Sequence, residues 1–159
     1  MTDNHTVEDS DGAWAPDAVF EAILQYTVIA TFDLILEFPK GILLARRRLA
    51  PYKGLWALPG LRMLKGETFD QSLRRIARTE AGVRVDAGEK IFVNQAVRKF
   101  NSPIRQDLST CYAFRLNDQE AQINQERFSG SMYIKAETDI PESIGGIYRE
   151  HLERYFTDT

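Results

Sequence analysis

Cysteine and histidine are scarce in this chain, and long apolar runs are missing. Its 159 residues include one cysteine, Cys111, and two histidines, His5 and His151. A single cysteine excludes an intrachain disulfide and predicts a reducing, cytoplasmic location. No apolar run reaches the roughly 18 residues that a membrane-spanning helix needs, so we expect no membrane span. The polar, acidic beginning also lacks the apolar segment of a signal peptide.

The length and composition are typical of one globular domain. Hydrophobic residues make up 43% of the chain, which is enough to build a core. We predict a disordered tail over residues 1–15 and a single domain over residues 16–159. The net charge of −3 argues against nucleic-acid binding, although a small anionic substrate needs only a local cluster of basic side chains.

The order of the predicted elements indicates an α/β protein with a mixed sheet. A short amphipathic helix should follow Pro16, and strands are predicted over residues 26–38 and 41–46 around a turn at 39–41. Two longer strands are predicted over 90–100 and 108–116 and a short edge strand over 131–135. A closing helix is predicted over 143–156. This alternation fits a sheet held between helices.

Another helix is predicted to begin near Phe69. Thr68 and Gln71 have the spacing of a capping box, in which each side chain bonds to the backbone of the other residue. Ile76 belongs to the apolar stripe of this helix. Glu80 follows Ile76 by four residues and therefore shares its face. A carboxylate in that position needs a cation.

The segment around this helix resembles the Nudix box, G-x5-E-x7-R-E-U-x-E-E-x-G-U, in which U is a bulky apolar residue. The positions that match are Glu67, Arg75, Glu80, Gly82 and Val83, and the lead-in run Trp-Ala-Leu-Pro-Gly covers residues 56–60. The positions that depart are Leu61, Ile76 and Thr79. The box defines hydrolases of nucleoside diphosphates linked to another moiety. The resemblance implies the α/β/α sandwich of that family.

The departures from the box imply a site for one metal ion instead of several. In a complete box, the positions of Ile76 and Glu80 are both Glu and together hold Mg²⁺, which prefers oxygen ligands and keeps several waters. Here Glu80 remains, and Ile76 and Thr79 remove the other carboxylates. One ion, held by Glu80 and the diphosphate of a substrate, is the arrangement that this pattern favours.

This pattern of loss is similar to that of GDP-mannose mannosyl hydrolase, a Nudix subgroup that keeps only the last carboxylate. The likeness covers roughly residues 17–140, including Asp33, Leu-Leu-Ala-Arg-Arg at 43–47 and Asp-Leu-Ser-Thr-Cys-Tyr at 107–112. The residues that the resemblance assigns to nucleotide or sugar are Asp33, Arg47 and Tyr112. Those that stabilise the departing nucleoside diphosphate are Arg62 and Arg75.

The resemblance also implies a set of Mg²⁺ ligands. These are the backbone carbonyl of Gly60, the carboxylate of Glu80, and Gln125, with Glu67 as a further ligand or a support. The family carries a Gln-His pair in a late loop, as metal ligand and general base, and that loop corresponds here to residues 124–131. Gln125 is the predicted ligand, and Glu126, the nearest carboxylate, is the predicted base.

The residues by themselves leave several roles open. Glu67 is either an acid favoured at a helix start or a ligand, and Arg75 is solvated, near the phosphates, or paired with Glu67. Asp33 lies in an apolar strand, so it is either salt-bridged or bound to a polar substrate group. Tyr112 is equally consistent with the core. In the run of arginines at 46–48, side chains alternate between faces, so either Arg47 alone or its two neighbours together can reach one pocket.

These observations predict a Mg²⁺-dependent hydrolase that attacks the anomeric carbon of a GDP-mannose-like nucleotide sugar. The products would be the free sugar and a nucleoside diphosphate. A pyrophosphatase that cuts between the phosphates and a non-catalytic module that binds a nucleotide sugar are the alternatives. Because relatives of this type are commonly homodimers, we expect a homodimer, with neither nucleic acid nor membrane as a partner.

Overall fold

The computed structural model describes residues 15–159 except 102–103, so all but Ala15 of the predicted tail lies outside the described residues. Three α-helices are described: α1 (Asp17–Tyr26), α2 (Phe69–Ala81) and α3 (Gly146–Asp158). Seven strands accompany them: β1 (Val28–Phe38), β2 (Gly41–Arg47), β3 (Trp56–Ala57), β4 (Gly60–Arg62), β5 (Ile91–Asn101), β6 (Ile104–Arg115) and β7 (Phe128–Ile134). Short 3₁₀ helices cover Ala87–Glu89 and Glu137–Asp139. The helices and strands therefore follow the predicted order.

The described strands form one mixed sheet. Its main order is β3-β2-β1-β6-β5, with β4 paired to β1 and β7 paired to β2. The pairing of β1 with β6 is parallel, whereas β1–β2, β1–β4 and β5–β6 are antiparallel. Because β1 lies at the centre, its side chains are buried almost throughout.

Helix α2 begins where its sequence predicts, at Phe69. The Thr68 hydroxyl accepts from the Gln71 N–H, and the Gln71 side chain accepts from the Thr68 N–H, which completes the capping box. Gly82 ends the helix in the left-handed conformation, with φ of 64°, where a residue without a Cβ is favoured. These local signals fix where Glu80 lies relative to the loop before the helix.

The core has two parts, one on each face of the sheet. On one face, Leu34 and Leu36 of β1 pack against Leu73 and Ile76 of α2. On the other, Ile35 packs in a cluster that contains buried residues of α3 and the sulfur of Cys111. Cys111 is fully buried there. Since side chains alternate along a strand, successive residues of β1 or β6 face α2 and α3 in turn.

The main differences from the sequence prediction are at strand ends. Strand β6 begins at Ile104, earlier than predicted, because it pairs with β5 as far as Asn101, and β7 begins at Phe128 because it pairs with β2 as far as Arg47. No helix in the described part of the chain has the length and apolarity to span a membrane.

Candidate functional site

A cavity of about 300 Å³ lies between α1, the ends of β2 and β4, and α3. Its lining is rich in guanidinium groups. The arginines in that lining are Arg47, Arg62, Arg98, Arg105 and Arg127. The carboxylates in it are Asp17 and Asp33. This excess of positive charge suits a small polyanion, because planar guanidinium groups bind phosphate oxygens in pairs.

Asp33 and Gly60 meet at the floor of the cavity. They are register partners in the β1–β4 pair, and a Cβ on Gly60 would lie 2.7 Å from the Phe32 carbonyl oxygen and even closer to the Asp33 carboxylate. Only glycine fits this close approach. Both residues were predicted from the sequence to belong to the site, and both line the cavity.

Two predicted arginines also line the cavity. Arg47 stands at the end of β2, where its Nε donates to the Pro51 carbonyl at 2.7 Å. Arg46 is exposed and donates to the Gly54 carbonyl instead, so of the two interpretations of this arginine run, the structure has Arg47 in the pocket. Arg62 follows Gly60 in β4, and its guanidinium lies 4.2 Å from the centre of the Phe20 ring. This cation–π contact holds Arg62 against α1.

Asp33 belongs to a buried network with Ser109 and His151. The Ser109 hydroxyl donates to Asp33 Oδ2 and lies 3.0 Å from His151 Nε2, which is itself 3.5 Å from that carboxylate oxygen. The Asn94 side-chain nitrogen lies 3.3 Å from His151 Nδ1. Burial acts to raise the pKa of Asp33, but the hydrogen bond and charge of His151, together with Arg98, lower it overall. Asp33 is therefore an ionised, rigidly held acceptor at neutral pH.

A second network fixes two of the arginines. Asp107 is fully buried and accepts from Arg98 at 2.7 Å and from Arg105 at 2.8 Å. Arg98 also donates to the Tyr148 hydroxyl at 3.2 Å. Because one carboxylate holds both guanidinium groups, the wall of the cavity keeps its positive charge in a preorganised position.

Glu67 and Arg75 form a buried ion pair behind the cavity. Arg75 Nε donates to Glu67 Oε1, and the guanidinium also donates to the Arg62 carbonyl at 2.8 Å. Glu67 further accepts from the Ser72 hydroxyl and from the Leu64 N–H. Burial acts to raise the pKa of Glu67, but these bonds lower it overall. The pair thus ties the start of α2 to the segment that carries Arg62, which was one of the predicted roles of Arg75.

Glu80 is completely buried beside the cavity and faces Arg127. Arg127 Nε lies 2.6 Å from Glu80 Oε1, yet in the described part of the chain neither carboxylate oxygen accepts a well-aligned hydrogen bond. Burial raises the pKa of Glu80 to about 7, despite the opposing effect of the Arg127 and Arg47 charges and of the nearby Gly60 N–H. A buried carboxylate with such incomplete hydrogen bonding is suited to bind a cation.

The residues around Glu80 supply few metal ligands. The Glu67 oxygens are engaged by Arg75 and its neighbours, and the side chain of Gln125 is exposed. Within the residues that the structure describes, no group of three His, Cys, Asp or Glu side chains could hold a metal ion. An ion at Glu80 would therefore need most of its oxygen ligands from water or from a substrate.

Three predicted residues lie away from the cavity lining. Tyr112 packs on the α2 face of the sheet, with its ring 6.3 Å from Phe32 and 6.0 Å from Phe92. Gln125 and Glu126 are exposed in the loop before β7, and the Glu126 N–H donates to the Asn124 side chain. The roles of these residues, and of Glu67 as a ligand, stay predictions.

The sequence reasoning missed several residues that build the site. Arg105, Asp107 and Ser109 occupy alternate positions of β6 and so share one face, a polar alternation that could have identified them. Arg98 is placed opposite Asp107 by the β5–β6 register, and Arg127 reaches Glu80 from a distant loop. We find no sequence signal for either of these two.

Comparison with known proteins agrees with this architecture. The NUDIX domain family profile matches residues 28–138. The low-salt glycan biosynthesis protein Agl8 of Haloferax volcanii is 34% identical over 85 residues. That alignment covers 54% of this chain and 54% of the relative, so the chain spans about half the length of the curated protein it matches.

Solved structures show the same fold. A MutT NUDIX hydrolase from Burkholderia pseudomallei aligns with a TM-score of 0.72 and 18% identity, over 80% of this chain and 98% of that one. The NUDIX domain of Shewanella oneidensis NrtR, complexed with ADP ribose, aligns with a TM-score of 0.68 and 17% identity, over 91% and 99% of the two chains. The predicted α/β fold with a mixed sheet between helices is confirmed.

Proposed function

This chain belongs to the Nudix family of hydrolases, and from that premise we propose that it hydrolyses a nucleotide sugar at the anomeric carbon. The observation that carries the proposal is the contrast, among the described residues, between a cavity lined by five arginines and the one acidic side chain on the buried face of α2, Glu80, which pairs with Arg127. Attack at phosphorus relies on clustered metal ligands that activate water. Attack at carbon needs mainly a stabilised leaving group, and the arginines supply that.

The leaving group would be a nucleoside diphosphate. Water attacks the anomeric carbon, the bond from that carbon to the diphosphate oxygen breaks, and the electron pair stays on the diphosphate. Arg62 and Arg47 lie in the cavity lining, where their guanidinium groups can bind the oxygens that gain charge. Arg98 and Arg105, held by Asp107, extend the same cationic wall. The guanidinium groups should therefore bind the departing nucleoside diphosphate more strongly than the intact substrate.

A carboxylate must accept the proton of the attacking water. Asp33 lines the cavity in ionised form and is held by Ser109 and His151, whereas Glu126 is exposed in the loop before β7. Because its lowered pKa makes Asp33 a weak base, we favour Asp33 for a sugar hydroxyl and keep Glu126 as the sequence-based candidate for the proton. A general base contributes typically about 10²–10⁴-fold in rate. The Asp33→Asn and Glu126→Gln variants therefore distinguish the two by the size of the loss in kcat.

Nudix hydrolases generally use divalent metal ions, commonly Mg²⁺. In this chain Glu80, with the carbonyl of Gly60, would hold such an ion together with the substrate diphosphate. The ion would add positive charge next to the leaving group. Arg75 and Glu67 would keep the intervening loop in position.

The substrate class has additional support from the comparisons. The relative from Haloferax volcanii is named as a glycan biosynthesis protein, and glycan biosynthesis consumes activated sugars. The NUDIX domain solved with ADP ribose shows that this fold accommodates a diphosphate joined to a sugar. We therefore propose a nucleotide sugar as the substrate, with GDP-mannose as the first compound to test.

The test is incubation with a panel of nucleotide sugars and Mg²⁺ in water enriched in ¹⁸O. Attack at carbon places the label in the free sugar and leaves an unlabelled nucleoside diphosphate. Attack at phosphorus places the label in a phosphate of the products and yields sugar phosphate with nucleoside monophosphate. The second result would replace the proposal with a pyrophosphatase.

A non-catalytic nucleotide-sugar-binding module is the second candidate. The observation that favours it is the pairing of Glu80 with Arg127, which occupies the carboxylate that a metal ion would need. Calorimetry that shows tight binding of a nucleotide sugar without any product in the labelled-water experiment would select this function.

We also propose a cytoplasmic homodimer. The edge strand β5 exposes Phe92 and Val97, at 60% and 52% of their surface, as a second copy would require. Light scattering on the purified protein tests this point, and a monomer at high concentration would contradict it.

A further inference from the structure

Arg127 and Glu80 form an ion pair at the border of the cavity. Their atoms approach to 2.6 Å, but within the described residues neither Arg127 Nε nor either Glu80 oxygen makes a well-aligned hydrogen bond. The carboxylate is 0% exposed, whereas the arginine side chain is 27% exposed and lines the cavity. Glu80 is thus fixed in the core, whereas Arg127 borders the cavity in which a ligand would lie.

The backbone around Arg127 is held while its side chain has room to move. The Asn124 N–H donates to the Glu80 carbonyl at 3.0 Å, and the Gln122 N–H donates to the Ala81 carbonyl at 2.8 Å. Arg48 Nε donates to the carbonyls of Gln125 and Phe128. These bonds fasten the loop over the end of α2, so Arg127 can exchange partners by rotation of its side chain alone.

We propose that Arg127 is an exchangeable counter-ion: a diphosphate in the cavity draws it away from Glu80, and Glu80 then becomes available to a divalent cation. The inference rests on the proposed function in one respect, namely that the natural ligand carries a diphosphate. A guanidinium group and a metal ion compete for the same carboxylate, since like charges repel at this distance. Phosphate oxygens offer Arg127 a bidentate partner that the poorly aligned Glu80 contact does not.

The charge around Glu80 couples the binding of a diphosphate to the binding of a divalent cation. Among the described residues, the five arginines of the cavity lining outnumber by one the carboxylates that line it or pair with them, Asp17, Asp33, Asp107 and Glu80, so a divalent cation alone meets a weakly positive site. A diphosphate reverses that charge and supplies oxygen ligands. Binding of the anion and binding of the cation at Glu80 must therefore favour each other, and this coupling is reciprocal.

Two binding measurements on the full chain test the inference. The first is titration with Mn²⁺ alone, followed by the loss of the free-ion signal in electron paramagnetic resonance. Arg127→Gln should bind Mn²⁺ at least tenfold more tightly than the wild type, because its carboxylate has no competing guanidinium. Glu80→Gln and the double variant should lose this binding. Arg154→Gln, an exposed arginine on α3, serves as the matched control and should resemble the wild type.

The second measurement is calorimetric titration with inorganic pyrophosphate in the presence of EDTA. Glu80→Gln should bind pyrophosphate more tightly than the wild type, because Arg127 is released from its partner. Arg127→Gln should bind it at least tenfold more weakly, and the double variant should match Arg127→Gln. Circular dichroism melts establish that each variant is folded, and the Glu80→Gln arm tests the inference independently if Arg127→Gln does not fold.

Either of two results would overturn the inference: equal Mn²⁺ affinity in Arg127→Gln and the wild type, or no gain in pyrophosphate affinity in Glu80→Gln. Neither ligand is a nucleotide sugar and neither readout is turnover. Failure to hydrolyse nucleotide sugars would therefore contradict the proposed function and leave these results standing. Turnover of a nucleotide sugar together with equal Mn²⁺ affinity in Arg127→Gln and the wild type would support the proposed function and overturn this inference.

Discussion

Removal of Arg75 should destabilise the fold, and the loss should be recovered when Glu67 is neutralised as well. The side chains of Arg75 and Glu67 are 8% and 1% exposed, so Arg75→Met leaves a buried carboxylate without its cation. Removing one partner of a buried ion pair lowers the free energy of unfolding by about 3–5 kcal/mol. In the double variant Glu67→Gln/Arg75→Met neither charge remains, and the Ser72 hydroxyl and the Leu64 N–H can still donate to the amide oxygen of the substituted side chain.

Equilibrium unfolding in urea measures this effect. With a slope of about 2 kcal/mol per molar urea, the single variant should shift the midpoint by roughly 2 M. The double variant should lie closer to the wild type than the single variant does, which gives a non-additive cycle. Arg74→Met, on the exposed side of the same helix, is the matched control and should leave the midpoint almost unchanged.

This reasoning would be refuted by a loss below about 1 kcal/mol in Arg75→Met, well under the range for a broken buried pair, or by additive losses in the double variant. In the double variant the bond from Arg75 to the Arg62 carbonyl is still missing, so stability should recover without kcat whether Arg75 positions the loop or binds the diphosphate.

Three further predictions concern the cavity. The pKa of Asp33 is lowered from its ordinary value of 3.8, so its ionised form stabilises the fold. This stability is fully present above about pH 4 and is lost as the pH falls further. The difference in unfolding free energy between the wild type and Asp33→Asn should therefore be large at pH 7 and smaller at pH 3. Arg47→Gln should weaken binding of a nucleoside diphosphate by about 1.5–3 kcal/mol, roughly tenfold to a hundredfold, while Arg46→Gln should change it less than about twofold, and calorimetry compares the two. Gly60→Ala should lower the unfolding free energy by about 1–3 kcal/mol, because the added Cβ meets the Phe32 carbonyl oxygen at 2.7 Å, and a thermal melt equal to the wild type would show that the strand yields freely.

Local signals account for the parts of the fold that were predicted well. The capping pair Thr68 and Gln71 predicted the beginning of α2. The four-residue spacing from Ile76 to Glu80 placed both on the buried face, as observed. Each of these features depends on residues within one or two helical turns, where geometry follows from spacing alone.

The cavity could be predicted only in part, because its lining depends on strand register and helix packing. Strand alternation shows that Tyr112 and Cys111 face opposite sides, but not which side carries the ligand cavity. The register of β1 with β6 and the packing of α3 determine this side. They bring Ser109 and His151 to Asp33 and leave Tyr112 on the side of α2. Similarly, the loop before β7 was predicted to contribute Gln125 and Glu126, and it is Arg127 that reaches the cavity.

The sequence alone determined the family, the α/β architecture and the survival of a single carboxylate at the end of the box helix, because short-range spacing encodes all three. Only the tertiary structure decided which charges surround that carboxylate. Arg47 and Arg127 act on Glu80 from the end of β2 and from a loop far along the chain, and Arg98 and Arg105 reach the same cavity from β5 and β6, so this convergence depends on sheet register. Contacts between segments far apart in the chain arise from packing of the whole domain, and no local pattern specifies them.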